Sequence, residues 1–330
     1  MSRRPSRRPP KPHDPYFLPW FEYAWERAQP VLVLGLVPAL VTLLSFGNVR
    51  RALSPGGFHV GVSLSFPAPI ADLWTFADVG VAAGGGFGVQ SLLALLLGIV
   101  VEGSLAAGYL GSIDDHLADR QFDFGANLQQ YAVRMVLFNA LWLLVTVGLA
   151  LLFLSISPAL LVVLGLPLIL LLSYLLYGTP YLLVIRDEPL SVALDRSLTY
   201  AQRGGPYFRY GVGYFGGVAV ASVFASIVVA NFGPLGLVLG VAAAGTVGFA
   251  LNVATMGLFR ALEAGRFRGR YGDYGHDDYH GGYDHDGGHD DRGPRDAEWG
   301  DDRRDSNRRD DSRNEGGWSS EDRDRDDRQY

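Results

Sequence analysis

Glu102 is the carboxylate that lies well inside an apolar run, SLLALLLGIVVEGSLAAGYLG, and it is the sharpest candidate for chemistry in the chain. An ionised carboxylate near the middle of a bilayer costs on the order of 2.5–3.5 kcal/mol on insertion scales, so such a group turns to protein, water or a partner. Two roles fit it. One is a proton- or ion-coupled site; the other is a structural carboxylate in the inward third of its helix, hydrogen-bonded to a neighbouring span and partly hydrated. The structural role asks for less and takes precedence. Asn139, Asn252, Tyr174 and Tyr177 are the polar partners on offer, with Arg134 at the inner boundary. Asn139 and Asn252 read as interhelical hydrogen-bonders rather than ligands. Tyr174 and Tyr177, near a span end, read as interface anchors.

Other constellations carry less. His276, His280, His285 and His289 interleave with Asp in a low-complexity stretch, which reads as a solvated tail rather than a metal site. There is no cysteine, hence no thiolate nucleophile, disulfide framework or Cys-based metal site. GGGFG at 84–88 lacks the Lys-Ser/Thr ending of a phosphate loop and reads as a flexible entry to a helix. No nucleophile–base set assembles from the rest, so neither an enzyme, a cofactor nor a resident metal is expected.

The elements that would position Glu102 follow from charge and hydropathy. Residues 271–330 hold 20 Asp and Glu against 10 Arg, a net of −10, which leaves +4 on the first 270 of a chain whose net charge is −6. An apolar body thus precedes an acidic tail, and a net of −10 repels phosphate, so nucleic acid is not an expected partner. The tail, from 263 to 330, cannot bury enough apolar surface to fold alone. It is expected to be disordered and to recruit protein partners. The Arg- and Pro-rich residues 1–14 read as a second disordered segment, a retained basic arm, because Glu22, Glu26 and Arg27 interrupt before any apolar run.

Between the termini, residues 15–262 read as a transmembrane domain. A helix over 16–29 would lay Phe17, Trp20, Phe21, Ala24 and Ala28 on one face at the headgroup boundary. Six apolar runs follow, at about 31–48, 89–111, 133–154, 159–178, 210–230 and 235–259, each near the roughly 20 residues that cross a hydrocarbon core. The fold expected is an all-α, polytopic membrane helix bundle of about six transmembrane helices with disordered termini. Loop 49–88 reads as an outer loop in which His59–Phe66 alternates like a strand. Arginine sets the orientation: with the N-terminus inside, only Arg50 and Arg51 fall outside, so both termini are expected in the cytoplasm of a cell-membrane protein.

Small residues suggest how spans dock. Gly213, Gly217, Ala221 and Ala225 recur at four-residue steps in the fifth run, and Gly236, Gly240, Ala244 and Gly248 in the sixth, ahead of Asn252. A short turn, Asn231–Pro234, joins the two runs. The expectation is that the two ladders face each other, since close backbone approach drives association in lipid.

The segment PYLLVIRDEPLSVALDRS at 180–197 links the fourth and fifth runs. Its second half is an amphipathic helix: Leu190, Ala193, Leu194, Ser197, Leu198 and Ala201 share a face, Pro189 suits the first turn, and Gly204-Gly205 end it. Asp187 and Glu188 precede it. This string resembles a motif of prokaryotic polytopic membrane families, including the membrane domain that accompanies some glycerophosphodiester phosphodiesterases. The matching positions are Pro180, Asp187, Glu188, Ala193, Leu194 and Ser197. The likeness implies a shared build over about residues 90–260 and no phosphodiesterase chemistry. The functional expectation is a non-enzymatic protein that organises membrane or recruits partners, the alternative being a transporter or permease subunit for a small solute centred on Glu102.

Overall fold

The computed structural model describes residues 14–53, 61–70 and 89–267. The expected basic arm to residue 13, the tail from 268, His59, and the GGGFG stretch lie outside the described residues. Helix α1 (Phe17–Ala28) passes through a tighter 3-10 stretch, Gln29–Gly35, into α2 (Leu36–Leu44) and then α3 (Phe46–Leu53). Pro30 opens the tight stretch, and Val31 leaves helical geometry at φ −128, which kinks the run. Then come α4 (Val89–Leu117) and α5 (Phe124–Ile156). A short α6 (Pro158–Leu160) leads through a wide turn at Leu161–Gly165 into α7 (Leu166–Leu176). Pro167 has no N–H to give the preceding turn, which accounts for the widening there. The remaining helices are α8 (Thr179–Ile185), α9 (Leu190–Arg203), α10 (Gly205–Asn231) and α11 (Gly233–Glu263).

Six helical stretches are long and apolar enough to cross a membrane: Phe17–Leu44, Leu95–Leu117, Phe124–Ile156, Pro158–Ile185, Gly205–Asn231 and Gly233–Glu263. The molecule is an all-α, polytopic membrane helix bundle with no strand among the described residues. Large apolar side chains cover its outside, among them Leu97, Val133, Leu144, Phe224 and Val238. In water such a surface would drive aggregation; hydrocarbon is the solvent that suits it.

Helix α11 is the centre. Every residue from Gly248 to Leu262 except Arg260 is buried, as befits a helix apolar on all sides. Antiparallel α4 and α5 approach closely where Gly103 lies against the backbone of Val136 and Gly111 against the side chain of Asn127. Helix α1 crosses three neighbours: Phe17 sits on Gly213 and Gly217 of α10, Trp20 on Gly257 of α11, and Arg27 pairs with Asp119 beyond α4. The 16–29 helix expected along the headgroup boundary therefore has its aromatic face against protein, with Trp20, Ala24 and Ala28 at most 1% exposed.

The glycine ladders are packing sites, but not as the facing pair expected. On α10 the buried face is Tyr210, Tyr214, Val218, Ser222, Ser226 and Val229, while Ala221 is exposed. Gly213 and Gly217 instead cradle Phe17, whose ring fills the space a facing helix would need. On α11, Gly236, Gly240, Ala244 and Gly248 are all buried. Gly236 meets α10 at the carbonyls of Val228 and Val229, whereas Gly248 looks toward Pro38 of α2. One ladder thus serves two neighbours.

Helices also outrun the expected spans. The second continues to Leu117 and the third begins at Phe124, because the polar residues at their ends bond each other and keep the chain helical. Asp123 caps α5 by accepting from the Ala126 N–H at 3.1 Å.

Candidate functional site

Residues 61–70 form no helix and no sheet ladder, yet they run inside the bundle. The N–H of Ser63 donates to Ser222 Oγ at 2.8 Å, about two-thirds of the way along α10. Phe66 packs among Tyr174, Tyr177 and Phe215, stacked on Tyr177 with ring centroids 6.1 Å apart. The Ala68 carbonyl accepts from the Tyr181 hydroxyl at 3.2 Å, which also reaches Asn252 Oδ1 at 2.8 Å. Ser222 stands nine residues from the end of α10 and Asn252 nineteen from the start of α11. At 1.5 Å per residue the stretch descends from about 14 to about 28 Å below the turn joining those helices. The strand-like alternation read from the sequence survives as alternating burial at Gly61, Val62, Ser63 and Leu64. What it faces is helix side chains rather than a sheet, so the expected outer loop is an insertion.

A tyrosine-rich wall holds the insertion. Tyr177 stacks on Tyr207 at 4.0 Å between centroids and donates to the Tyr207 carbonyl at 2.7 Å. Tyr174 donates to the Ala201 carbonyl at 3.0 Å. Expected as an interface anchor, Tyr177 is a core residue at 3% exposure, because its hydroxyl finds a partner across the bundle. Asn252 behaves as the interhelical bonder expected, accepting from Tyr181 and donating to the Gly248 carbonyl at 3.1 Å. Tyr181→Phe removes the link from the insertion to α11. It should lower stability in detergent by about 1 kcal/mol, the usual scale of an interhelical hydrogen bond in lipid, and should raise thiol labelling of a Ser65→Cys reporter.

Between the insertion and helices α4, α5, α7 and α8 lies a cavity of about 270 Å³. Glu102, Asn139, Trp142, Ser173 and Tyr177 line it opposite Leu64–Ile70. Glu102 and Asn139, distant in sequence, are thereby brought to one site, while Asn252 stays outside it. Glu102 is exposed and Asn139 half-buried. Ser65 Oγ, also on the lining, is buried with no hydrogen-bond partner among the described residues. Ser65 and Trp142 were invisible to sequence reasoning as site residues; the Pro67 and Pro69 that bar the insertion from being a helix were the available signal.

A charged layer closes the other end of the bundle. Asp114 accepts from Arg260 at 2.5 Å and Arg120 at 3.0 Å, and Asp115 accepts from Asn127 at 2.8 Å. Arg134 pairs with Asp187, and Arg196 holds Glu188 through two bonds of 2.9 and 3.2 Å. Glu263 takes Arg186 and the Tyr200 hydroxyl. Burial raises the Tyr200 phenol above its ordinary pKa, and the Glu263 carboxylate beside it raises it further, so Tyr200 acts as a neutral donor. The 180–197 motif has a structural account here. Pro180 is buried at the start of α8, Ala193 is fully buried, Leu194 half-buried, and Ser197 donates to the Leu175 carbonyl at 2.8 Å. Among the described residues no group of three or more His, Asp or Glu side chains is placed to hold a metal ion.

No family model, curated protein or solved structure matches this chain.

Proposed function

We propose that this protein is a multi-pass protein of the cell membrane that admits a small solute to the cavity beside Glu102. The observation that carries the reading is the extended stretch 61–70 inside a helix bundle. Non-helical backbone at membrane depth is tolerated only where protein buries it or where it lines a water-filled cavity, and residues 61–70 pack against helix side chains on one side and line the cavity on the other. A protein that only organised lipids has no need of an inserted stretch whose backbone must be matched by Ser222 and Tyr181. Arginine asymmetry supports both termini in the cytoplasm, with the insertion entering from the outer face. The reading is non-enzymatic, and the likeness to prokaryotic polytopic families supports a common build alone.

A second reading has its own observation: the 60 residues beyond 270 carry a net of −10 and suit a recruiting arm for protein partners. Glu102→Gln and deletion of 271–330 separate the two when each is scored for solute uptake and for co-purifying proteins. Uptake lost in Glu102→Gln and kept in the deletion supports the solute reading. Partners lost on deletion, with uptake equal in all three forms, would replace it with recruitment.

A further inference from the structure

We infer that the cavity beside Glu102 takes a small organic cation, an amine or quaternary ammonium, through the Glu102 carboxylate and the aromatic walls around it; this rests on the solute reading above. Among the described residues lining the cavity, Glu102 is the one with an ionisable carboxylate or a cationic side chain. Among the described lining residues there is no Arg or Lys, so an anion entering there would meet a carboxylate first. Aromatic side chains line it, Trp142 and Phe138 from α5 beside the stacked pair Phe66 and Tyr177, and an aromatic wall of this kind attracts a weakly hydrated cation.

Size and polarity narrow the class. About 270 Å³ lies just below the range of drug-sized pockets, so the occupant is small. Hard divalent ions ask for six or more oxygen ligands or for several retained waters, and a largely aromatic and apolar wall serves them poorly. The polar groups present form a short set: Glu102, Asn139, Ser65 and Ser173. Ser173 is already committed, donating to the Ile169 carbonyl at 2.8 Å. Ser65 Oγ is not: a buried hydroxyl on the lining with no partner among the described residues is an independent sign that an occupant, solute or water, completes it. A choline-like ligand satisfies both features, with its ammonium at the carboxylate and rings and its hydroxyl toward Ser65.

The test uses the full-length protein in lipid nanodiscs, titrated by calorimetry with choline, with its uncharged isostere 3,3-dimethyl-1-butanol, and with sodium ion. Choline should bind; the isostere and sodium should bind at least tenfold more weakly. Glu102→Gln should weaken choline at least tenfold, and Trp142→Leu should weaken it while sparing the thermal stability of the empty protein. Equal binding of choline and its isostere would overturn the inference, as would sodium matching choline, no choline binding at millimolar concentration, or Glu102→Gln binding choline as wild type does. The solute reading fails by a different result: uptake of every tested solute unchanged in Glu102→Gln and in a Ser65→Leu variant that fills the cavity.

Discussion

Gly35→Leu should prevent the bundle from assembling. A Cβ on Gly35 would stand 2.3 Å from the carbonyl oxygen of Gly245 and 3.0 Å from its carbon. The reciprocal Cβ on Gly245 would stand 2.9 Å from the Gly35 oxygen. Both obstacles are backbone, so no rotamer change relieves them. The crossing also lies on the central helix, where a shift of α11 displaces the partners of α1, α2, α4, α8 and α10 together. Overpacking a well-filled core typically costs about 1–3 kcal/mol, and a whole leucine driven against backbone belongs at or beyond the top of that range. Without a hydrophobic drive between helices in lipid, close packing is what such a loss removes. Gly98→Leu is the matched control, on an exposed face of α4 with nothing within 4 Å of the added carbon. Size-exclusion profiles and melting in detergent should show Gly35→Leu aggregated or absent and Gly98→Leu like wild type. Two indistinguishable variants would mean that the crossing of the Gln29–Gly35 stretch over α11 does not exist.

Asp114→Ala should be the most damaging change in the charged layer. The carboxylate is 9% exposed and receives Arg260 and Arg120, while Arg260 also donates to the Asp114 carbonyl at 3.0 Å. Removing it strands a guanidinium that is 30% exposed. Breaking a buried pair from one side costs about 3–5 kcal/mol, much of it the penalty of the charge left behind. Partial exposure of Arg260 places the expected loss near ~3 kcal/mol, at the lower end of that range. Arg120 is 61% exposed, so Arg120→Ala should cost less than about 1 kcal/mol. Asp114→Ala combined with Arg260→Met should recover part of the loss, since an apolar replacement leaves no unpaired charge. Unfolding in detergent micelles measures all three against wild type, and equal losses for Asp114→Ala and Arg120→Ala would contradict the assignment.

The helices were legible in the sequence because lipid makes demands that a single segment can show. An apolar run of the right length, ended by Ser155–Pro158 or Asn231–Pro234, announces itself without reference to any other part of the chain. The α9 pattern was legible for the same reason, since Leu190, Ala193 and Ser197 share a face by spacing alone. Partnerships were not. Small residues at Gly213 and Gly217 show that something approaches closely, but nothing in the spacing says that it is the ring of Phe17. Asp114 and Arg260 stand 146 residues apart, and Arg134 and Asp187 stand 53 apart. Helix ends extended by such pairs therefore look, in sequence, like loops.

The cavity was half visible. Glu102 and Asn139 could be singled out because polar groups are rare in apolar runs, and Asn252 for the same reason. The stretch opposite them could not, because alternation over His59–Phe66 is what a strand on any surface would show. Its partners Ser222 and Tyr181 are one of two serines on α10 and a tyrosine that follows Tyr174 and Tyr177 in the same apolar run. Only the fold makes those two the ones that receive it.

Cross-linking of Ser63→Cys to Ser222→Cys tests the central claim most directly, since the natural chain has no cysteine to confuse the result. In native membranes a short bis-thiol reagent should join the pair, and each single variant should resist bulky membrane-impermeant maleimide. Free labelling of Ser63→Cys from the aqueous phase, with no cross-link to position 222, would show that residues 61–70 lie on the surface and that the site beside Glu102 is not built as described.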